Sequence, residues 1–590
     1  MSERSPLLQP RNIREGEAAP YFDIQPDYGF SRSPRRGSFA SGSVGRHGFL
    51  SSLVAQESQE FAADLDEDES VIEPYTTEEA TRLAREQQTL LDDNNISYET
   101  ISDRPPELLT LGQAREEIVE TQKAWNAAVA TGRVHTTVRR ELIVLATSAL
   151  PLTVTFLLQY SLPVASIFSV GHLGTAELAA VSLASMTSNI TGFAMIQGFA
   201  TCLDTLCPQA FGAGHPHQVG MYFQKCVMLI LACFVPIAVL WVFSEPLIAF
   251  LVSDREVAHL AALYLRTIVI GAPGYVLFEC GKRFVQAQGI FHASTIILLV
   301  CAPFNAIMNY LMVWSDYIGV GFVGAPMAVV MTNWLMPLLL FLFVVFVDGK
   351  QCWNGFSQDV FKNWGPMFKL AVPGFIMIEA EFLAFEVLTF AASRFGPAVL
   401  AAQAVLATIT SLTYQIPFAL AIAVSTRVAN FVGATLVEPA KVASRLGITC
   451  SYVVALFNAL VLYIFRYQIG SLFSNDEGVI EIVGDALPIC CILQLADSPA
   501  AITGGVLKGQ GRQHLGGYLN IIFYYPVALP ICFGMAFGLG WGLYGLWAGI
   551  TIGLFGVAAG EIYFVANSNW EEIVSDARER SREERVFGHV

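Results

Sequence analysis

Gly174-Thr175-Ala176-Glu177-Leu178-Ala179-Ala180 returns 222 residues later as Gly396-Pro397-Ala398-Val399-Leu400-Ala401-Ala402. The register extends well beyond this pair. Pro151 recurs as Pro373 and Gln288-Gly289 as Gln510-Gly511 at offset 222; Thr205 and Thr426, Gly212-Ala213 and Gly433-Ala434, and Gly321/Gly324 and Gly542/Gly545 match at offset 221. Chance gives any one of these matches, but not a run in constant register across six apolar segments. The chain is therefore duplicated. Each copy holds six spans, and because six is even both copies enter a membrane in the same orientation. Parallel repeats about an axis along the membrane normal are a transporter architecture, with the site between or within the lobes.

Composition agrees. Of 590 residues 54% are hydrophobic and only 14% charged, well below the quarter or so of soluble domains, and the mean hydropathy is +0.51. The apolar residues gather into windows long enough to cross a bilayer. Twelve spans are expected near residues 140–168, 176–211, 218–243, 256–286, 293–314, 321–347, 364–393, 397–432, 440–467, 477–506, 514–538 and 541–566. The fold class is an all-α polytopic membrane protein, twelve transmembrane helices in two six-helix lobes. Residues 1–138 read as a disordered cytoplasmic tail, with a short helix around Glu107–Thr131. Residues 139–347 form the N-lobe, 348–363 a cytoplasmic linker, 364–568 the C-lobe and 569–590 a cytoplasmic C-terminal tail.

The net charge of −16 belongs mostly to the first 138 residues, which hold 24 Asp/Glu against 13 Lys/Arg. It says little about a substrate, and nothing in the composition points to nucleic acid. No apolar signal peptide opens the chain, so the first span is expected to direct insertion. Arg139/Arg140, Lys282/Arg283, Lys350/Lys362/Lys369, Lys441/Arg445 and Lys508/Arg512 fall on one side of the twelve-span arrangement. That side reads as cytoplasmic, and with it both termini. All 11 cysteines lie after position 200 without metal-site or disulfide spacing, and read as small buried hydrophobes.

One span is unlike the rest. Pro373-Gly374-Phe375-Ile376-Met377-Ile378-Glu379-Ala380-Glu381-Phe382-Leu383-Ala384-Phe385-Glu386 places three glutamates at membrane depth. Each costs roughly 2.5–3.5 kcal/mol on insertion scales, so an intramembrane acidic cluster points to proton, ion or substrate handling. At 100° per residue Glu379 and Glu386 lie about 20° apart, but Glu381 and Glu386 about 140° apart. No straight helix aims all three at one cavity. Either Pro373 bends the segment, or Glu381 points into the lobe interior while another glutamate faces the cavity. Offset 222 pairs Glu379, Glu381 and Glu386 with Leu157, Gln159 and Val164, so the first copy is uncharged where the second is acidic.

The stretch Cys202-Leu203-Asp204-Thr205-Leu206-Cys207-Pro208-Gln209-Ala210-Phe211-Gly212-Ala213-Gly214 closely resembles the signature ending the second helix of eukaryotic multidrug and toxic compound extrusion (MATE) transporters. Its counterpart is Ser425-Thr426-Arg427-Val428-Ala429-Asn430-Phe431-Val432-Gly433-Ala434. Val170-Gly171-His172-Leu173-Gly174, Arg283-Phe284-Val285-Gln286-Ala287-Gln288 and Gly504-Gly505-Val506-Leu507-Lys508-Gly509-Gln510-Gly511 add to the resemblance, which covers about 139–570 and is of the fungal-like eukaryotic type. Physically, such Gly and Ala residues at helix ends allow close packing and tight turns.

The resemblance implies that two glutamates five apart after Pro373, here Glu381 and Glu386, handle protons or cations, with Asp497 of the tenth span as partner. Glu379 is an addition to the pattern. The aspartate some members carry in the first helix is replaced by Ser166, leaving Gln159 as the polar group of that span. Asp204 and Arg427 read as gate or cap residues, Glu279 as an ion pair with Lys282 and Arg283, and Asn305, Asn309, Asn520, Tyr524 and Tyr525 as helix-bridging groups or substrate contacts. Glu3, Leu7 and Leu8 fit an acidic dileucine signal for vacuolar sorting adaptors, as do Glu86, Leu90 and Leu91.

The implied function is antiport of small organic, mainly cationic, compounds out of the cytosol for protons, sodium being less favoured. It would be carried out by a monomer in a vacuolar or, alternatively, plasma membrane, without cofactor or metal. A lipid-linked sugar flippase would instead need a cationic cavity, and few buried Lys/Arg are expected. A membrane enzyme would need a catalytic constellation, and none is present. A scaffold role leaves the repeat and the buried acids unexplained.

Overall fold

The computed structural model describes residues 135–588 except 172, 214, 252, 253, 354, 357 and 475. The dileucine motifs at Glu3-Leu7-Leu8 and Glu86-Leu90-Leu91, the tail helix at 107–131 and His172 lie outside the described residues. Twelve long helices follow one another: α1 (Val138–Val170), α2 (Thr175–Gly212), α3 (Pro216–Val242), α4 (Arg255–Ala287), α5 (His292–Trp314), α6 (Gly321–Phe346), α7 (Gly365–Ala392), α8 (Pro397–Gly433), α9 (Val437–Ile464), α10 (Glu477–Gln510), α11 (Gln513–Gly538) and α12 (Gly542–Ala566). Eleven are long and apolar enough to cross a membrane by composition. The twelfth, α7, is the helix that carries the three glutamates and Lys369. No strand occurs among the described residues.

Local chemistry bends several of these helices. α2 passes through a π turn at Asn189–Phe193 and a break at Thr201–Cys202. α11 carries π segments at Phe523–Ala528 and Gly534–Gly538, around Pro526 and Pro530. α10 contains Pro488 and Pro499, and α1 Pro151 and Pro163. Each proline removes an intrahelical hydrogen bond and wedges the turn before it.

The core forms three clusters. One fills α2–α6 and also takes in Met367, Leu370 and Ala371 at the start of α7. Another fills the second lobe from Ala384 to Ala558. The third joins Leu145, Leu152 and Phe156 of α1 to Val424, Val428 and Phe431 of α8. Each lobe's first helix thus begins against the other lobe. A thirteenth helix, α13 (Trp570–Gly588), buries Trp570, Ile573, Val574 and Ala577 in this third cluster. The C-terminal segment expected to be a plain tail is therefore packed against the body, because its apolar residues recur at helical spacing. The 348–363 linker likewise docks: Cys352 is fully buried under α3.

The lobes are latched where α2 and α8 end. A Cβ on Gly212 would lie 2.2 Å from the Asn430 carbonyl oxygen, and one on Gly433 2.1 Å from that of Gln209. The repeated Gly-Ala pair is thus a backbone-on-backbone crossing. Gly433→Ala is expected to lower the thermal unfolding midpoint of the purified protein. Only main chain faces the added methyl, and overpacking of this kind costs about 1–3 kcal/mol. Gly534→Ala, where a Cβ meets nothing within 4 Å, is the matched control. Equal melting of the two variants would show that the crossing is not tight.

Candidate functional site

Glu381 of α7, Asp497 of α10 and Glu561 of α12 converge on one cavity in the second lobe, together with Tyr414 of α8, Tyr524 of α11 and Lys508 near the end of α10. Asp204 of α2 closes it from the first lobe. The cavity volume is about 60 Å³. A water needs roughly 10–15 Å³ of such space, so there is room for about four to six waters and none for a drug-sized molecule. Four carboxyl groups therefore surround one ammonium in a nearly closed space.

Glycine makes the room. Gly504 and Gly516 face Glu561, with hypothetical Cβ atoms 3.5 and 3.3 Å from its Oε1. Gly505 lets α10 approach α8, its Cβ position lying 2.6 Å from the Ala421 oxygen. Thr503 Oγ1 donates to Glu561 Oε2 at 2.7 Å, while Glu561 Oε1 has no partner.

The three glutamates of α7 separate as helical geometry requires. Glu381 reaches the cavity; Glu379 and Glu386 do not line it and are half-buried elsewhere on the helix. Glu381 and Glu386 do not meet in this cavity: α7 runs on as a regular helix past Pro373, so their 140° separation is kept. Tyr525 donates to the Ala380 carbonyl at 3.3 Å, bridging α11 and α7. Asn520 donates to that of Met377 at 2.8 Å, tying α11 to α7.

In the first lobe, offset 222 puts Gln159 and Tyr275 where the second has Glu381 and Asp497. Gln159 Nε2 donates to Glu279 Oε1 at 2.8 Å and lies 3.4 Å from the Tyr275 hydroxyl. Gln197 also donates to that hydroxyl. Glu279 is clamped by Lys282 at 2.9 Å and Arg283 at 2.8 Å, all three buried. Gln159 is thus part of a satisfied polar network. Arg283 also pairs with Asp204 at 3.1 Å. Arg427 grips Glu141 through two hydrogen bonds of 2.7 and 2.8 Å across the latch. Lys225, Lys282, Arg283 and Arg427 are all buried, against the expectation of few buried cations. Glu279, one turn away on α4, accounts for Lys282 and Arg283, and Glu141 of α1 for Arg427.

Two charged cavity residues escaped the sequence reading as site residues. Glu561 is the sole charged residue of α12, a signal as plain as that of α7 but carried by one residue. Lys508 was assigned to a loop because the tenth span was ended at 506; the helix runs to Gln510 and carries the lysine into its last turn, where a cation also suits the helix dipole.

Twelve helices in two repeated lobes, eleven of them long and apolar enough to cross a membrane, with a buried acidic cavity among them, are the architecture of a membrane transporter. The MatE family model matches twice, at residues 151–311 and 373–533, displaced by the same 222 residues as the repeat. A Saccharomyces cerevisiae protein described as an uncharacterized transporter is 43% identical over 75% of this chain, which spans only 64% of that protein's length. Mouse multidrug and toxin extrusion protein 2 is 32% identical over 75% of this chain and 77% of its own. The crystal structure of the eukaryotic MATE transporter AtDTX14 superposes with a TM-score of 0.71 at 28% identity, covering 75% of this chain and 99% of that one. The chain belongs to the MATE family of membrane transporters.

Proposed function

We propose that this transporter exports small organic, mainly cationic, compounds from the cytosol in exchange for protons. The observation that carries the reading is the convergence of Glu381, Asp497 and Glu561 on one small cavity. Protons entering from the far side of the membrane neutralise these acids and weaken the hold on a cationic substrate. The substrate occupies space that opens as the lobes rock, since the cavity itself admits only a few waters. Sodium is less suited, because an ammonium, Lys508, already shares the cavity.

The latched end faces the cytosol in this reading, supported by Arg139, Arg140, Lys441 and Arg445 near it and by the rule that basic residues stay cytoplasmic. Both termini are then cytoplasmic, and the dileucine motif at Glu3-Leu7-Leu8 directs the monomer to a vacuolar membrane. Purified protein in vesicles with an acidic interior is expected to accumulate ethidium or tetraethylammonium, and the substrate is expected to drive proton efflux from the vesicles. Absence of substrate-linked proton movement across a broad cation panel would sink the reading.

A further inference from the structure

Lys508 stands at the seam between the lobes. Its carbonyl accepts a hydrogen bond from Thr205 Oγ1 at 2.5 Å, and that of Gly509 accepts from Gln209 Nε2 at 2.9 Å, both from α2. Its ammonium enters the acidic cavity but forms no hydrogen bond or ion pair within 4.0 Å among the described residues. Asp204, across the seam, and Glu561 and Glu381 of its own lobe line the same space. Arg283 of α4 stands behind Asp204, paired with it at 3.1 Å. Asp497 of α10 and the hydroxyls of Tyr414 and Tyr524 complete the groups facing this space.

We propose that Lys508 is a positioning residue that couples proton binding to lobe movement, acting as a built-in cation shared between Asp204 of one lobe and the acids of the other. This rests on the proton-antiport reading. With the seam closed, part of the lysine's attraction is directed at Asp204, and the second-lobe acids bind protons more readily. When the seam opens, Asp204 leaves with the first lobe, and Lys508, carried on α10, faces only Glu381, Asp497 and Glu561. Their ionised forms gain, and protons leave. Closed binds protons, open releases them. By linkage, low pH then favours the closed seam and high pH the open one. With the seam at the cytosolic end, this is the sign an importer of protons needs.

The test needs no substrate. Spin labels at His217→Cys and Arg445→Cys, exposed positions near the starts of α3 and α9, report the opening of the latched end. The half-buried Cys233 and Cys450 are replaced by alanine. In wild-type background the inter-label distance is expected to lengthen between about pH 5 and about pH 8. Lys508→Met is expected to abolish that dependence, and Lys508→Arg to keep it. Asp204→Asn, which removes the competing partner, is expected to flatten it as well, and decides the matter should Lys508→Met not fold. A wild-type response retained in Lys508→Met or in Asp204→Asn would overturn the inference alone. A wild-type protein indifferent to pH would instead overturn the proton-antiport reading beneath it.

Discussion

Glu381→Gln in reconstituted vesicles is expected to reduce pH-driven uptake of an organic cation to the rate of protein-free vesicles, while Glu386→Gln retains most of it. Both residues lie in α7, five positions apart, and a reading from the helix sequence alone treats them alike. The fold separates them. Glu381 shares its cavity with Asp497 and Glu561, whereas Glu386 sits half-buried outside it. Glutamine keeps the volume and hydrogen-bonding reach of glutamate but cannot gain or lose a proton at working pH. Under the proton-antiport reading, substitution at the cavity therefore removes a step of the cycle and leaves packing intact. Asp497→Asn is expected to behave like Glu381→Gln, and Glu379→Gln like Glu386→Gln. Initial rates with and without a pH gradient check this. Uptake in Glu381→Gln close to wild type, or its loss in Glu386→Gln alone, would move the proton site to the other face of α7.

Arg427→Leu is expected to be the most destabilising single change at the latch. The guanidinium lies 4.6 Å over the Phe431 ring and holds Glu141, which is 0% exposed, through two short bonds. Glu141 keeps a further bond from Thr136 Oγ1 at 2.6 Å, too little to replace a cation. Removing one partner of a buried pair costs about 3–5 kcal/mol, because a buried charge is left uncompensated. The double variant Glu141→Leu with Arg427→Leu is expected to recover most of the loss, since two apolar side chains of similar size leave no charge behind. Thermal unfolding of the four proteins completes the cycle. A double variant as unstable as the single would show that Arg427 acts through packing alone.

Glu561 and Lys508 show where sequence reading ran short. A single acid near the end of an apolar helix looks like a boundary residue, and a lysine two positions beyond an expected span end looks like a loop charge. Lys508 was lost by setting a helix end by hydropathy, which a polar residue inside a protein-lined cavity distorts; Glu561 lay within the expected twelfth span but was not singled out. The buried pairs were missed differently. Glu141 and Arg427 are 286 positions apart, and no local pattern connects them. Glu279 with Lys282 and Arg283, three and four positions on, was legible because helical spacing alone brings such residues together.

By itself the sequence determined the twelve spans, the duplication at offset 222, the membership of a transporter family and the acidity of the second copy. The family follows from the resemblance of short motifs and the rest from composition, periodicity and register, all properties of the chain in order. The tertiary structure alone decided which glutamate of α7 meets Asp497, that α12 supplies a third acid, and that a lysine joins them at the seam. Each of these depends on the rotation of one helix about its axis relative to five others. That rotation is fixed by close glycine contacts and cross-lobe packing between residues hundreds of positions apart.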